Sequence, residues 1–407
     1  MKKLLTAVLV LTTVFTSFAA TAAHAVEFGG VEIHGFASQG FIQTTKENNF
    51  PVSNSGKGSF NFNDFGINFS KQLTPDLRIG FQLLAMDRGN YGKDKITLDW
   101  AYGDYRLRDW LGFRAGKIKL PLGLYNETRD NDALRTFIFM PQNEYYEYER
   151  DSIMAIAGGS VYGSVPIGAA GTLNYQVQVG TLPLTSDGGT AINYSAYIST
   201  SDATLKVDDI SSTTAVVHHL EWRTPVDGLR ATFSGLHTSF SGTAHATDVA
   251  GVTADWKYDG LHRYIFGVEY TYNDLVLASE YQMDDYRIMA NYSDGSAPLD
   301  LRLSSDGWYA SATYRFNDWF ELGGYYHEAY GDRNNRDGMS LVNIGYVAND
   351  WNAWQKDTAL TLRFDPVPNV VLKVEGHYEQ GTWLLSETSG SEKKDWYIFA
   401  TKATVSF

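Results

Sequence analysis

The sequence predicts an all-β protein: a transmembrane antiparallel β-barrel of about 16 strands. Three observations predict this fold class. The chain begins with an export signal, its body alternates apolar and polar residues in short segments, and the connections between those segments alternate between short and long. Each observation is weak alone, but together they point to one architecture.

The composition excludes several classes of protein. Cys is absent, so disulfides, thiolate metal sites and cysteine nucleophiles are excluded. The formal net charge of the 407-residue chain is -14 and no basic patch or stripe is visible, so we expect no nucleic-acid partner. No motif indicates a cofactor, and we predict none. Aromatic residues make up 14% of the chain, which is typical of a barrel with interfacial Tyr and Trp.

Residues 1–25 have the three parts of a secretory signal peptide. The charged part, the apolar part and the cleavage site are, in order, Lys2-Lys3, Leu4 to Phe18 and Ala23-His24-Ala25. We expect a mature chain of 26–407, and loss of the two lysines changes the formal charge from -14 to -16. An exported, acidic, Cys-free chain rich in Tyr and Gly is typical of the bacterial outer membrane. We therefore expect outer-membrane lipid and lipopolysaccharide as its surroundings.

Segments of about ten residues alternate in polarity, as transmembrane β-strands do. The clearest apolar sets are Leu77-Ile79-Phe81-Leu83, Ile96-Leu98-Trp100-Tyr102, Leu173-Tyr175-Val177-Val179, Leu275-Leu277 and Val370-Leu372-Val374. Alternation alone does not distinguish a soluble sandwich from a membrane barrel. The signal peptide, the aromatic content and the turn pattern favour the barrel, whose apolar residues face lipid and whose polar residues line water.

The connections fall into two alternating length classes. Seven are short and rich in Pro, Gly, Asn and Asp, and lie at 73–76, 108–110, 163–168, 225–228, 273–274, 317–319 and 365–369. Eight are long, and lie at 45–58, 87–95, 120–151, 181–212, 242–260, 285–306, 329–356 and 383–395. Together they join 16 strands, with 14 or 18 as the alternatives, and the segment 190–212 leaves room for an extra strand pair. Short periplasmic turns and long outer loops are typical of outer-membrane barrels.

The chain ends in a strand with a terminal aromatic residue, Phe407. Such a strand resembles the signal that barrel-assembly machinery reads, so we expect that machinery as a partner. We also expect the first strand, Val31 to Thr44, to pair with the last one, because lipid cannot satisfy an open sheet edge. Some aromatic residues near strand ends should form interfacial girdles; the candidates are Trp100, Tyr102, Trp110, Trp222, Tyr264, Trp308 and Trp319.

The most distinctive segment runs from Gly112 to Asp151. It contains a strand with a Gly-Lys pair, a Pro-Leu-Gly step, a charged loop and a Tyr-containing return. The residues concerned are Gly116, Lys117, Pro121, Leu122, Gly123, Arg129, Asp130, Pro141 and Tyr145. This order resembles the Gram-negative outer-membrane porin superfamily of 16-stranded trimeric porins, close to its phosphate-selective-porin-like branch. Outside this segment the likeness is only architectural.

The resemblance implies that the third loop, 120–151, folds into the barrel and forms a constriction, and that three barrels form a homotrimer. A 16-stranded barrel is wide enough for an aqueous channel, and charges in a narrow throat act more strongly than on a surface. The predicted constriction residues are Lys117, Lys119, Glu127, Arg129, Asp130, Asp132, Arg135, Glu144 and Arg150. The predicted lumen-wall residues are Asp99, Arg223, Arg263 and Glu280. We expect Tyr145, Tyr146 and Tyr148 to pack the loop against the wall, rather than to line a sugar-stacking path.

Phosphate selectivity would require a ladder of basic residues along the lumen. The basic residues with lumen parity are Arg78, Arg223, Arg230, Arg263, Arg315, Arg363, Lys373 and Lys402, and the acidic ones are Asp64, Asp99, Glu221, Glu269, Glu280, Glu321 and Glu375. These two sets are balanced, and the chain is acidic. We therefore expect weak cation preference or little selectivity, in a channel for passive diffusion of small hydrophilic solutes and ions.

Two other classes of function remain as alternatives. A barrel enzyme would need a catalytic constellation, and neither G-x-S-x-G nor H-E-x-x-H occurs, so we predict no enzyme and no catalytic residues. The second alternative is a scaffold or sheath around a partner such as an electron-transfer cytochrome, or an adhesin. It would need a wide lumen or large outer loops.

We predict no metal site. The adjacent His218 and His219 should point to opposite faces of a strand and cannot chelate together. The acidic pairs Asp208-Asp209 and Asp284-Asp285 are interpreted as solvated loop residues rather than as calcium sites.

Overall fold

The computed structural model describes residues 26–45, 47–200, 202–385 and 390–407. The predicted signal peptide, 1–25, lies outside the described residues. The strands are β1 (Val26–Phe28), β2 (Val31–Thr44), β3 (Asn63–Thr74), β4 (Leu77–Asp87), β5 (Thr97–Arg108), β6 (Leu111–Lys119), β7 (Ala155–Pro166), β8 (Thr172–Thr181), β9 (Leu205–Val207), β10 (Ser211–Ser212), β11 (Ala215–Arg223), β12 (Leu229–Ala246), β13 (Thr253–Tyr272), β14 (Leu275–Tyr292), β15 (Leu299–Asn317), β16 (Phe320–Tyr330), β17 (Trp354–Val367), β18 (Val370–Gly381) and β19 (Asp395–Ser406). The α-helices are α1 (Arg150–Ile153), α2 (Gly189–Ile198) and α3 (Met339–Asn343), and 3-10 turns lie at Ser55–Lys57, Asp132–Leu134, Gly168–Ala170 and Asp350–Asn352.

Sixteen of these strands, β2–β8 and β11–β19, form one closed antiparallel ring. Each pairs with its neighbours in sequence, and β8 pairs directly with β11. The ring closes between β19 and β2, from the pair Ile398–Thr44 to the pair Ser406–Phe36. The backbones of Phe407 and Gly35 then exchange two hydrogen bonds, of 2.9 and 3.0 Å. The predicted strand number and the predicted closing pair are therefore confirmed.

The two faces of the ring differ in polarity. On β18, Lys373, Glu375 and His377 are 1–5% exposed and point inward, whereas Val374 between them is 37% exposed and points outward. On β17, Leu360 is 57% exposed on the outer face. Inside the ring these polar groups find hydrogen-bond partners, and outside it the apolar side chains can face lipid, as expected for a transmembrane barrel.

Connection lengths agree with the sequence at most positions. The short turns lie between β3 and β4, β5 and β6, β7 and β8, β11 and β12, β13 and β14, β15 and β16, and β17 and β18. Two of the predicted long loops are wrong in extent. The connection predicted at 242–260 spans only 247–252, and that predicted at 285–306 spans only 293–298, because β12 to β15 are 18–20 residues long.

The extra length of β12 to β15 has a physical reason. At this end of the strands the polarity of the two faces is reversed. The inward residues Phe240, Trp256 and Tyr258 are buried against helix α2, where the ring of Tyr194 lies 4.9 Å from that of Tyr258. The outward residues are charged and exposed, as in the pair Lys257–Asp259 at 2.7 Å. The strands thus continue as hairpins that cover α2.

The described residues of the segment 190–212 add no strand to the ring. It contains most of α2 and the short strands β9 and β10, and both strands pair with β12. The acidic pair Asp284-Asp285 also lies within a strand, β14, rather than in a loop. Asp284 points inward, where it is 5% exposed, and Asp285 pairs with Arg333 at 2.8 Å.

The predicted face of Trp100 and Tyr102 is wrong. The ladder between β4 and β5 shifts register, because Gln82 pairs with Trp100 and Leu83 pairs with Leu98. Asp99 is the extra residue, and such a bulge changes which side chains face inward. Trp100 and Tyr102 line an interior cavity with Gln82. By contrast, Trp110, Trp222 and Trp319 are 43–56% exposed at the short-turn end, as expected for a girdle.

Candidate functional site

The third long loop, residues 120–154, packs against the interior wall. The backbone N–H groups of Ile138 and Phe139 donate to the carboxylate of Glu375 on β18, at 2.7 and 2.8 Å. The N–H of Leu124 donates to Glu280 on β14, at 2.7 Å. Both carboxylates are 1% exposed and lie on the inward face. The loop therefore runs inside the ring from β14 to β18.

Gly123 permits the backbone of the loop to approach Glu280 on β14 closely. Its φ of +63° is a conformation that glycine adopts readily. A Cβ at this position would collide with the carboxylate of Glu280 and with the hydroxyl of Tyr145, which itself donates to Glu280. The Pro-Leu-Gly step in the sequence is thus the point where the loop leaves β6 and reaches β14.

The tyrosines of the return segment pack the loop against its surroundings. Tyr145, Tyr146 and Tyr148 are 0–6% exposed. The hydroxyl of Tyr146 donates to the carbonyl oxygen of Leu384 in the eighth long loop at 2.7 Å. Their burial leaves no stacking path for a sugar along these three rings.

The first ionic cluster joins the loop to β5 and β6. The Arg150 guanidinium lies 2.5 Å from Asp130 and 3.0 Å from Asp99, and the Lys119 ammonium lies 2.9 Å from Asp130. All four side chains are at most 15% exposed. Burial raises the pKa of Asp130, but Arg150 and Lys119 outweigh burial and hold this pKa well below its usual range. The two positive and two negative charges therefore balance.

The second ionic cluster is centred on Asp132 in the loop. Its carboxylate lies 3.1 Å from Lys373, 3.6 Å from Lys402 and 3.4 Å from Arg135. Lys373 and Lys402 belong to the wall strands β18 and β19, and their side chains are at most 1% exposed. Burial raises the pKa of Asp132, but these basic groups, with Lys373 the strongest, lower it well below its usual range.

The second ionic cluster continues across the barrel as a chain of alternating charges. Lys402 lies 2.5 Å from Asp64 on β3, and Asp64 lies 2.5 Å from Arg88. Arg88 lies 3.6 Å from Glu147 in the loop, and Glu147 lies 2.8 Å from Arg129. This series of charges starts at Asp132 and ends at Arg129, which both belong to the third loop. It therefore holds two parts of the loop to one region of the wall.

The remaining predicted acidic and basic groups have different surroundings. Arg263 on β13 lies 2.7 Å from Asp284 and 3.2 Å from Glu149 in the loop.

Glu144 is 3% exposed, and its Oε2 atom has no hydrogen-bond partner among the described residues. Burial raises the pKa of Glu144 well above its usual value, and the charge of Glu280 adds to the rise. Glu144 is thus favoured in its protonated form.

Three predicted residues lie outside these clusters. Lys117 donates to the backbone oxygen of Leu98 at an exposed position. Arg223 is 68% exposed on its side chain and pairs with Glu221 near a short turn. Glu127 lines a cavity, and its backbone oxygen accepts from Lys119 at 3.0 Å.

Several residues that hold the loop were not predicted as site residues. Strand parity places Asp64, Lys373, Lys402 and Glu375 inside the barrel, but it does not show which loop atoms they bind. Arg88 follows β4 directly and gave no signal in the sequence.

The segment 127–135 of the third loop separates two interior cavities. A cavity of about 460 Å³ lies toward β13–β17, and one of about 360 Å³ lies toward β2–β6. Thr128 and Leu134 line both cavities. The first cavity is lined by four arginines and two glutamates: Arg129, Arg135, Arg315, Arg363, Glu269 and Glu321.

Other long loops also occupy the interior at the long-loop end. Phe50 of the first long loop stacks on Tyr146 and contacts Trp396 edge-on, with ring centroids 6.3 and 6.1 Å apart. Phe139 stacks on Phe62 at 5.0 Å. Beyond this packing, a cavity of about 930 Å³ lies among the fourth, sixth, seventh and eighth long loops. The interior is therefore narrowed by several loops, whereas the sequence predicted only the third.

No helix in the part of the chain that the structure describes is long and apolar enough to cross a membrane.

Comparisons with solved structures define the class of fold. OmpF of Salmonella typhi, solved in complex with daunomycin, aligns with a TM-score of 0.58 at 14% identity, over 93% of this chain and 97% of that one. The outer-membrane channel DcaP of Acinetobacter baumannii aligns with a TM-score of 0.56 at 12% identity, over 96% and 100%. The trimer form of OmpT, an outer-membrane protein of Vibrio cholerae, aligns with a TM-score of 0.55 at 13% identity, over 93% and 99%.

The chain therefore has the 16-stranded barrel fold of outer-membrane porins. No protein-family model matches the sequence. No curated protein matches it in sequence either.

Proposed function

We propose that this protein is an outer-membrane porin, a water-filled channel for passive diffusion of small hydrophilic solutes and ions. The observation that carries the proposal is a closed 16-stranded ring with a polar interior, an apolar exterior and a charged loop held inside it. A ring of this size leaves room for water, and a polar interior solvates solutes as they pass.

The third loop is the proposed constriction. Its segment 127–135 lies between two interior cavities, so a solute that crosses the barrel passes beside it. Lys119 and Asp130 line the cavity on one side of this segment, and Arg129 and Arg135 line the cavity on the other. A barrel that acts as a sheath for another protein would need an unfilled lumen, and the packed loops argue against that alternative.

Weak selectivity follows from the pairing of these charges. The first ionic cluster is neutral, and each of the four arginines that line the first cavity lies within 4 Å of a carboxylate: Arg129 of Glu147, Arg135 of Asp132, Arg315 of Glu321 and Arg363 of Asp365. Paired opposite charges leave only a small residual field at the scale of a hydrated ion. We therefore propose a channel with little preference between small anions and cations.

The proposed setting follows from the fold and from the sequence. The protein would be exported through a cleaved signal peptide, assembled by barrel-assembly machinery that reads the strand ending at Phe407, and surrounded by lipid and lipopolysaccharide. The trimer form of OmpT supports a homotrimer for this chain as well. Native mass spectrometry of the detergent-extracted protein tests the trimer, and a monomer alone would contradict it. No enzymatic step is proposed.

Single-channel recording of the refolded protein in planar bilayers tests the channel. We expect stepwise conductance in groups of three and a reversal potential near zero under a KCl gradient. Strong anion preference would contradict the account of paired charges. The absence of conductance, in protein shown to be folded by its heat-modifiable migration, would refute the porin proposal.

A further inference from the structure

We infer that the inner wall across β16, β17 and β18 contains a binding site for a divalent transition-metal ion of the Zn²⁺ class, formed by Asp357, His377 and Glu379 with His327 as a fourth ligand. One ligand atom from each of the first three residues lies within 4.8 Å of the others. The inference concerns the wall and does not depend on transport. It departs from the sequence-based prediction of no metal site.

The pairing of the strands brings these residues together. His327 on β16 is paired with Asp357 on β17, and Asp357 is paired with Glu379 on β18. The three residues form a row across the inner face. His377 lies two positions before Glu379 on β18 and therefore shares its face. All four residues are 1–5% exposed.

The cluster has more hydrogen-bonding capacity than its neighbours satisfy. Neither ring nitrogen of His327 has a hydrogen-bond partner among the described residues, although the residue is 1% exposed. Glu379 accepts one hydrogen bond, from Gln355 at 2.9 Å. Buried polar groups are normally paired, so the buried imidazole of His327, which lies across from Asp357 and has no hydrogen-bond partner among the described residues, indicates that a ligand is missing. A bound cation would supply it and would compensate the carboxylate charges.

His377 is already oriented as a metal ligand would be. Its Nε2 atom lies 3.0 Å from Glu375, and its Nδ1 atom lies 2.8 Å from Asp357. Without an ion, each of these two contacts requires a proton on the ring nitrogen, because a carboxylate oxygen can only accept. Binding of a metal ion would release the proton from Nδ1, which would then coordinate the ion while Nε2 still donates to Glu375. Histidine ligands commonly donate their other ring nitrogen to a carboxylate in this way. Two imidazole nitrogens and two carboxylate oxygens suit Zn²⁺ and similar ions better than Ca²⁺ or Mg²⁺, which prefer oxygen ligands alone.

The site is coupled to the third loop through Glu375. The carboxylate that orients His377 also accepts the N–H groups of Ile138 and Phe139. The ring of Phe139 lies 6.2 Å from that of His377. An ion that fixes His377 would therefore also fix the carboxylate on which the loop docks.

The test is metal content and thermal stability of the full-length protein refolded with and without ZnCl₂. After removal of free metal, we expect about one zinc ion per chain by inductively coupled plasma mass spectrometry. We also expect a higher unfolding temperature for the zinc-loaded protein than for the protein refolded without zinc. Refolding with Co²⁺ should give the visible absorption of a tetrahedral site. Because the site is buried, the ion is supplied during refolding.

The variants Glu379→Gln and His327→Ala test the ligands. Glu379→Gln preserves shape and hydrogen bonding, so it should fold, yet we expect it to bind zinc at least about tenfold more weakly, as changes around metal sites commonly do. His245→Ala is the matched control, because His245 is 45% exposed on its side chain and pairs with Asp208 on the outer surface. A second control is the double variant His237→Ala and His262→Ala, which removes an exposed pair of ring nitrogens 2.8 Å apart.

Zinc retained in both controls and lost in Glu379→Gln and His327→Ala would support the inference. Three results would overturn it: no bound zinc in the parent protein, equal zinc content in Glu379→Gln, or loss of zinc in the double control alone. None of these readouts uses conductance, so failure of this inference is distinct from failure of the porin proposal.

Discussion

The variant Asp132→Ala should release the third loop from the wall while the barrel stays folded. Asp132 is 1% exposed. Among the described residues, Asp132 provides the only carboxylate within ion-pair distance of Lys373, at 3.1 Å. Lys402 would keep Asp64 at 2.5 Å, so Lys373 is the group that loses its ion pair. Its ammonium would keep only the backbone oxygens of residues 132 and 137, at 2.7 and 3.4 Å, which do not neutralise its charge. No strand pairing in the ring involves Asp132.

The size of the effect follows from this burial. Removing one partner of a buried ion pair costs about 3–5 kcal/mol, because the other charge stays buried without compensation. At about 1.4 kcal/mol per factor of ten, local opening of the loop should become roughly a hundredfold to a few thousandfold more frequent.

Hydrogen exchange at the amides of Ile138 and Phe139 measures this opening, since both amides are bonded to Glu375. Their exchange should accelerate by that factor in Asp132→Ala, while amides in the ring keep their protection. Asp187→Ala is the control: Asp187 and Lys95 form a pair at 2.8 Å whose side chains are more than 60% exposed, and its loss should change nothing measurable. Unchanged exchange of Ile138 and Phe139 in Asp132→Ala would refute the reasoning.

Three further variants test other parts of the structure. Folding raises the pKa of Glu144. The contribution of Glu144 to stability is therefore fully present below the pKa of the unfolded chain, about 4.3, and is lost as the pH rises toward the pKa of the folded state. Glu144→Gln should unfold at a higher temperature than the parent at pH 8, and at the same temperature as the parent at pH 4. Arg150→Ala removes the positive charge between Asp130 and Asp99, so the reversal potential under a KCl gradient should shift toward that of potassium. Deletion of Phe407 removes two backbone hydrogen bonds to β2 and should lower the fraction of heat-modifiable barrel.

Each of these three variants has a contrary result. Equal stabilisation by Glu144→Gln at both pH values would mean that ionisation of Glu144 has no part in it. An unchanged reversal potential in Arg150→Ala would place this residue away from the ion path. A normal yield of barrel without Phe407 would show that the terminal residue is dispensable for assembly.

The ring itself could be predicted from the sequence because its signal is repetitive. Val31 to Thr44 was predicted as the first strand, and β2 has these bounds. The inward side chains of Lys373, Glu375 and His377 follow from alternation alone, since a strand has a period of two. Charged residues at inward positions and apolar residues at outward ones repeat on strand after strand, so an error at one strand does not change the fold.

The same signal failed where the environment changes along a strand. In β13, Trp256 and Tyr258 point inward and Lys257 points outward, the reverse of the pattern in the membrane. The sequence therefore predicted a loop where the strand continues. At Asp99 a single extra residue in β5 turned Trp100 and Tyr102 inward, and a bulge of this kind has no clear mark in one sequence.

The candidate site could be predicted only in part. The Pro-Leu-Gly step and the charges after it identified the third loop, and nine of the thirteen predicted residues lie in ion-pair or hydrogen-bond clusters inside the ring. The wall residues that bind the loop could not be predicted. Asp132 and Lys402 are 270 residues apart in the chain, and an irregular loop has no repeating pattern from which the direction of its side chains could be predicted. The row from His327 to Glu379 was missed for a related reason, since it follows the cross-strand direction rather than the chain.

The central claim is that solutes pass beside the segment 127–135, and one measurement tests it most directly. The chain has no cysteine, so Thr128→Cys introduces a single thiol at a residue that lines both interior cavities. A charged thiol reagent should reduce the single-channel conductance of Thr128→Cys and leave that of Ser296→Cys, in an exposed outer loop, unchanged. Full modification of Thr128→Cys, verified by mass, without any change in conductance would contradict the account.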